Sequence, residues 1–140
     1  PVMIDRGLML KVLINLITNA RESITGPGEV QVVAGLERAR DGAATLDVAV
    51  RDNGRGMTEE FIRTSLFKPF TSTKRAGLGV GLSQCKAIVE AHAGSISVES
   101  RHERGPTFRV RLPVQDQGVT ALAPDGEPAA VPSQSREIAR

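Results

Sequence analysis

The 140-residue chain has no tryptophan and no tyrosine, and four phenylalanines are its only aromatic residues. Leu, Ile, Val and Ala must therefore fill its core. A single cysteine, Cys85, excludes an internal disulfide and leaves no partner for a thiolate zinc cluster. It falls at a buried helix position, which marks a small core residue rather than a catalytic thiol. There is no secretory leader and no apolar run long enough to span a bilayer. The expectation is a soluble, cytoplasmic domain without membrane contact, whose parent protein can carry an anchor elsewhere. Charge of either sign is barely in excess, 18 basic residues against 16 acidic, net +2. Its dispersal, with so few aromatics to stack on bases, argues against nucleic-acid binding.

What is present suits one domain: 40% of residues are hydrophobic, enough for a core that is not generously stabilised. Residues 8–24 are expected to form the first helix, with Leu8, Val12, Leu13, Leu16, Ile17, Ala20 and Ile24 on its apolar face. Asp5 is its N-cap, and Thr25-Gly26-Pro27-Gly28 stops it. Residues 30–36 read as a strand, and Leu46, Val48 and Val50, alternating with Asp47 and Ala49, as a second; a turn at Asp41-Gly42 makes the pair an antiparallel hairpin. Thr58-Glu59-Glu60 starts a short helix. Residues 67–77 read as a loop. Residues 80–91 form a second long helix with Leu82, Cys85, Ile88 and Val89 inward. A second hairpin follows, Ile96 and Val98 in one strand, Phe108, Val110 and Leu112 in the other. Residues 115–140, with scattered prolines, read as a disordered tail. The expected class is α+β, a two-layer sandwich with helices on one face of a mixed, mostly antiparallel sheet.

Four segments carry chemistry. Asn15 and Asn19 in Asn15-Leu16-Ile17-Thr18-Asn19-Ala20 share one face of an otherwise apolar helix, where two amides are costly unless partnered. They can bridge backbone groups in a core; a carboxamide oxygen can also ligate a hard cation. Asp52-Asn53-Gly54-Arg55-Gly56 follows a strand, as an ordinary turn would, and its glycines allow close backbone approach to a ligand. Gly77-Leu78-Gly79-Val80-Gly81-Leu82 opens a helix, an arrangement that favours anions. It follows a loop rather than a strand, unlike a Rossmann fingerprint, and no Gly-Lys-Ser/Thr follows, unlike a Walker A loop. Between these lie Leu66-Phe67-Lys68-Pro69-Phe70 and Thr71-Ser72-Thr73-Lys74, either a hydrophobic clip with a polar turn or a mobile lid. His92 lies near a helix C-terminus, where the dipole favours it, and His102 has no evident partners; neither reads as a phosphoacceptor.

In order and spacing these segments resemble the N, G1, F and G2 boxes of the GHKL (Bergerat) ATP-binding fold, shared by gyrase, Hsp90, histidine kinases and MutL. Ile88-Val89-Glu90-Ala91-His92 and Gly105-Pro106-Thr107-Phe108 extend the likeness to sensor histidine kinases of the FixL-like class, specifically their catalytic and ATP-binding domain. The resemblance spans residues 2–113. It implies ATP and Mg2+, with Asn19 as metal ligand and Asn15 in its outer shell. It implies that Asp52 accepts the adenine amino group. Further nucleotide contacts would come from Gly54, Gly56, Phe67, Phe70, Thr73, Lys74, Gly77, Leu78, Gly79, Val80, Gly81, Leu82 and Thr107. Asn15, Asn19 and Lys74 would carry the catalytic work.

In the hydrolysing branches a Glu on the first helix activates water; here the equivalent position is Asn15, which cannot act as a general base. The resemblance thus implies phosphoryl transfer to a histidine on a helical dimerisation domain N-terminal to this one, then to an Asp of a response regulator receiver domain. Nothing in the chain resembles that dimerisation segment, so the expectation is an N-terminally truncated domain at residues 1–114 with no acceptor of its own. The alternatives are an anti-sigma-factor-type serine kinase on the same fold and a non-catalytic nucleotide-sensing module. Departures from the family pattern are Lys68 where Glu is common, Ala76 and Ala93 where Gly is usual, and Gly7 in the first helical turn.

Overall fold

The computed structural model describes residues 3–71, 79–101 and 105–114. The expected tail at 115–140 lies outside them.

Helix α1 spans Arg6–Ser23. Asp5 caps it, its Oδ1 accepting from the Leu8 amide at 2.9 Å, so the helix begins two residues before the apolar pattern does. Met9, Val12, Leu16 and Ala20 are its buried residues. Leu8 and Ile17, expected inward, are exposed. The helix buries only a seam against the sheet and a neighbouring helix, narrower than the stripe its composition suggests.

Strand β1 (Val30–Arg38) and strand β2 (Ala44–Asp52) form an antiparallel hairpin. Its turn is held by the Ala43 amide on Asp41 Oδ1 at 3.0 Å and by Gly42 at φ 87°. A short helix α2 (Glu59–Thr64) is capped by the Thr58 side chain. Helix α3 (Gly81–Ala91) buries Cys85 and Val89. Strands β3 (Ser95–Arg101) and β4 (Gly105–Val114) form the second hairpin. The two hairpins join through β2 and β4, giving the order β1-β2-β4-β3. Every pairing among the described residues is antiparallel, in keeping with the mostly antiparallel sheet expected.

Strand alternation sorts the sheet into two faces. Val50, Phe108, Val110 and Leu112 point to one side, where α1 and α3 cover them and complete the core with Leu16, Cys85 and Val89. The other side carries a charged network. Asp47 on β2 accepts from Arg109 Nη1 at 2.7 Å and from Arg111 Nε at 2.9 Å, both on β4. Burial by itself would raise the Asp47 pKa; the two guanidiniums outweigh it and hold the carboxyl below its ordinary 3.8.

The end of α3 forms a compact stop. The Gly94 amide donates to Val89 O and the Ala93 amide to Glu90 O, both at 3.0 Å. This Schellman pattern requires a left-handed residue, and here that residue is Ala93, at φ 55°. His92 ties the two helices together. Its Nδ1 lies 2.7 Å from Ile88 O, and its Nε2 accepts the Asp5 amide at 2.9 Å. The neutral ring with its hydrogen on Nδ1 satisfies both, a structural duty that accounts for the residue.

Candidate functional site

A cavity of about 860 Å³ opens between the C-terminal half of α1, the segment after β2, and the start of α3. Its apolar lining includes Met57, Phe61, Leu66 and Phe108; Asn15, Asn19, Ser23 and Asp52 contribute polar groups. Asn15, Asn19 and Ser23 are successive i, i+4 positions, so α1 presents them as one row.

Asp52, the last residue of β2, is 2% exposed. Its Oδ1 accepts from Ser23 Oγ at 2.6 Å and from the Gly54 amide at 2.9 Å. Its Oδ2 is buried and has no hydrogen-bond partner among the described residues. An unsatisfied buried acceptor costs roughly 1–3 kcal/mol, and more for a charged one. A ligand that brought an N–H donor to this atom would remove that cost.

Asn19 Nδ2 donates to Asn15 Oδ1 at 3.0 Å. That bond uses the Asn19 amide nitrogen, and the carboxamide oxygen is the atom with hard-donor chemistry. No group of three His, Cys, Asp or Glu residues gathers among the described residues. A divalent cation beside Asn19 would therefore draw most of its ligands from a bound phosphate and water, as Mg2+ characteristically does.

The glycines have distinct reasons. A Cβ on Gly81 would lie 2.6 Å from Asn15 Nδ2 and 2.8 Å from Asn15 Oδ1, so any side chain there would force the Asn15 carboxamide to shift. A Cβ on Gly54 would strike Ser23 Oγ and lie 2.6 Å from the Ser23 carbonyl oxygen. Gly56 lines the cavity. Gly79, Val80, Gly81 and Leu82 border it at the N-terminal end of α3, where Val80 offers no side-chain cap. That end favours an anion through its amides and the helix dipole.

The 66–70 segment departs from expectation. Phe67 packs against the core beneath Lys86, whose ammonium lies 5.8 Å from the ring centroid. Phe70 is 79% exposed at φ 63°, its amide donating to Gly79 O at 3.0 Å. Neither ring lines the cavity; Thr71 does. Thr107 is a correction. It faces the opposite side of the sheet, in a groove with Gln31, Arg51 and Glu99, while its neighbour Phe108 points into the cavity. Alternation permits only one of two adjacent strand residues to reach a given face. Thr73, Lys74, Gly77 and Leu78 lie outside the described residues. Ser23, Met57, Phe61, Leu66, Thr71 and Phe108 line the cavity without having been singled out as ligands. Ser23 was within reach, since extending the Asn15–Asn19 spacing by four lands on it.

The sequence profile of the histidine kinase-, DNA gyrase B- and HSP90-like ATPases matches residues 4–116. The chain belongs to this family. Among the proteins it is similar to, the C4-dicarboxylate transport sensor protein DctS of Rhodobacter capsulatus is 42% identical over 117 residues, 84% of this chain and 18% of DctS. The sensor protein FixL of Bradyrhizobium diazoefficiens is 38% identical over 116 residues, 83% of this chain and 22% of FixL. The solved catalytic domain of histidine kinase ThkA, in a nucleotide-free form, superposes with a TM-score of 0.67 at 34% identity, covering 79% of this chain and 68% of that one. The chain thus carries the ATPase-family domain and spans about a fifth of the length of these curated relatives.

Proposed function

We propose that this chain is the ATP-binding catalytic domain of a sensor histidine kinase, occupying residues 1–114, and that its cavity is the nucleotide site. The observation that carries the reading is the buried, partnerless Asp52 Oδ2 on the cavity wall. It suits the amino group of adenine, with Met57, Phe61 and Phe108 providing apolar contact. The triphosphate would run toward the open end of α3, past Asn15 and Asn19. Asn19 would hold Mg2+ through its carboxamide oxygen, which when bound supplies charge neutralisation for the phosphates. Lys74 would add positive charge to neutralise the phosphates.

The step is transfer of the γ-phosphoryl group from ATP to an imidazole nitrogen, leaving ADP. Catalysis here is positioning and electrostatics. Asn15 is an amide whose oxygen already accepts from Asn19; it takes no proton from water, which favours transfer over hydrolysis. The acceptor histidine belongs to a dimerisation domain of the parent kinase, and the phosphoryl group passes on to a receiver-domain aspartate of a response regulator.

Titration of the folded chain with ATP by calorimetry tests the site. Micromolar to millimolar binding that requires Mg2+, and that Asp52→Asn abolishes, is expected, since the amide retains one acceptor but loses the charge and places a donor against a donor. Unchanged binding by Asp52→Asn would sink the adenine reading. Supplying a histidine-bearing dimerisation domain in trans should then yield acid-labile phosphohistidine with labelled ATP; phosphoserine instead would point to the serine-kinase branch.

A further inference from the structure

Ser23 is the final residue of α1, and three contacts join it to the segment after Asp52. Its Oγ lies 2.6 Å from Asp52 Oδ1. Its carbonyl accepts the Arg55 amide at 3.2 Å. Its main chain packs beneath Gly54, leaving no space for a side chain there. The hydroxyl also lies 2.8 Å from Ala20 O, so one proton faces two acceptors. The shorter contact decides its direction. A hydroxyl oxygen and a carboxylate oxygen at 2.6 Å repel unless a proton lies between them, and a charged acceptor attracts that proton more strongly than a neutral carbonyl does.

Oδ1 of Asp52 thereby receives two donors, Ser23 Oγ–H and Gly54 N–H. Both contacts demand acceptor lone pairs on Oδ1, and together they fix the carboxylate plane. The atom left for a ligand is then Oδ2, which is buried and has no donor among the described residues. Without the Ser23 hydroxyl, one amide would hold the carboxylate. It could rotate to share both oxygens with the Gly54 turn, or admit a water to Oδ1.

We infer that Ser23 is a positioning residue that sets the base selectivity of this pocket, by pinning Asp52 so that Oδ2 meets a base that offers an amino hydrogen. The inference rests on the nucleotide reading above, and the test separates the two. The full chain is titrated with the Mg2+ complexes of ATP and of purine riboside triphosphate, which carries hydrogen where adenine carries its amino group. The wild-type chain should prefer ATP by on the order of tenfold or more, the usual worth of one hydrogen bond to a charged group. In Ser23→Ala the preference should fall to about threefold or less, through weaker ATP binding with purine riboside triphosphate unchanged. Ser23→Cys, near in size and a weak donor, should lie between and also serves if the alanine variant does not fold.

Equal losses for both nucleotides would make Ser23 a merely structural residue and overturn the inference. So would a preference that survives in both variants. A wild-type chain that binds the two nucleotides equally would instead sink the amino-group role of Asp52, and this inference with it.

Discussion

Ala93 and Cys85 show how single side chains set local stability. Ala93 occupies the left-handed position of the α3 stop, at φ 55°, where a Cβ crowds the following carbonyl. Glycine there removes that strain and gives back part of the gain as unfolded-state entropy. Ala93→Gly should therefore stabilise the chain by about 1 kcal/mol, read as a higher urea midpoint with unchanged slope. The departure was visible in the sequence as an alanine where the family uses glycine; its meaning needed the backbone angle. Cys85 behaves as its burial demands. Desolvation pushes the thiol from 9.0 up to about 11. The folded state holds the proton where the unfolded chain releases it, so stability should fall as pH rises from about 9 toward 11. Chemical denaturation across that range checks it, and Cys85→Ala should flatten the slope.

The elements were legible where their signal is local. Asp5 and Thr58 cap α1 and α2 through the side chains expected of them, and both hairpins follow from alternation between turn residues. What failed was direction around an axis. Leu8 and Ile17 read as inward on hydrophobicity alone, yet which apolar residues of a helix are covered depends on what packs beside it. Thr107 and Phe108 show the same for a strand: the motif drew attention to the polar member, and the pleat gave the cavity to its neighbour. Asn15, Asn19, Asp52, Gly79 and Gly81 line one cavity, since the C-terminal half of α1 lies beside the end of β2 and the start of α3. The Gly81 contact makes a test of element packing. Gly81→Ala must displace the Asn15 carboxamide or move α3 from it, at a cost of up to roughly 1–3 kcal/mol as for an overpacked core. It should weaken nucleotide binding more than a stability loss alone explains, measured by calorimetry on the folded fraction.

Across the whole molecule, the outward face of the sheet links its strands through charge. Asp47 joins β2 to β4, with Arg111 also 3.6 Å from Glu37 on β1. Arg109 and Arg111 are partly solvent-exposed, which screens the pairs. Because the folded pKa of Asp47 is lowered, its stabilisation is present above the ordinary 3.8 and is lost as pH falls through the folded value. Asp47→Asn should cost about 1–2 kcal/mol at pH 7 and progressively less as pH falls below 3.8, a convergence that urea melts across that range would reveal.

The order of strands was not legible, because β2 and β4 are far apart in sequence and no local signal marks their pairing. That order has a temporal side. β4 is the last strand in chain order among the described residues, and it sits between β2 and β3. A ribosome that has delivered the chain as far as Arg101 has made the first hairpin, the three described helices and β3, without the strand that joins β2 to β3. Val50 and Val48 await Phe108 and Val110 as cross-strand neighbours. The described sheet is thus closed by its last strand, as an arch is by its keystone. Its folding should be a single late event, slow for its size because the decisive contacts span half the chain. Nascent chains halted before Val114 clears the exit tunnel should remain open to protease, and those released beyond it should become resistant in one step.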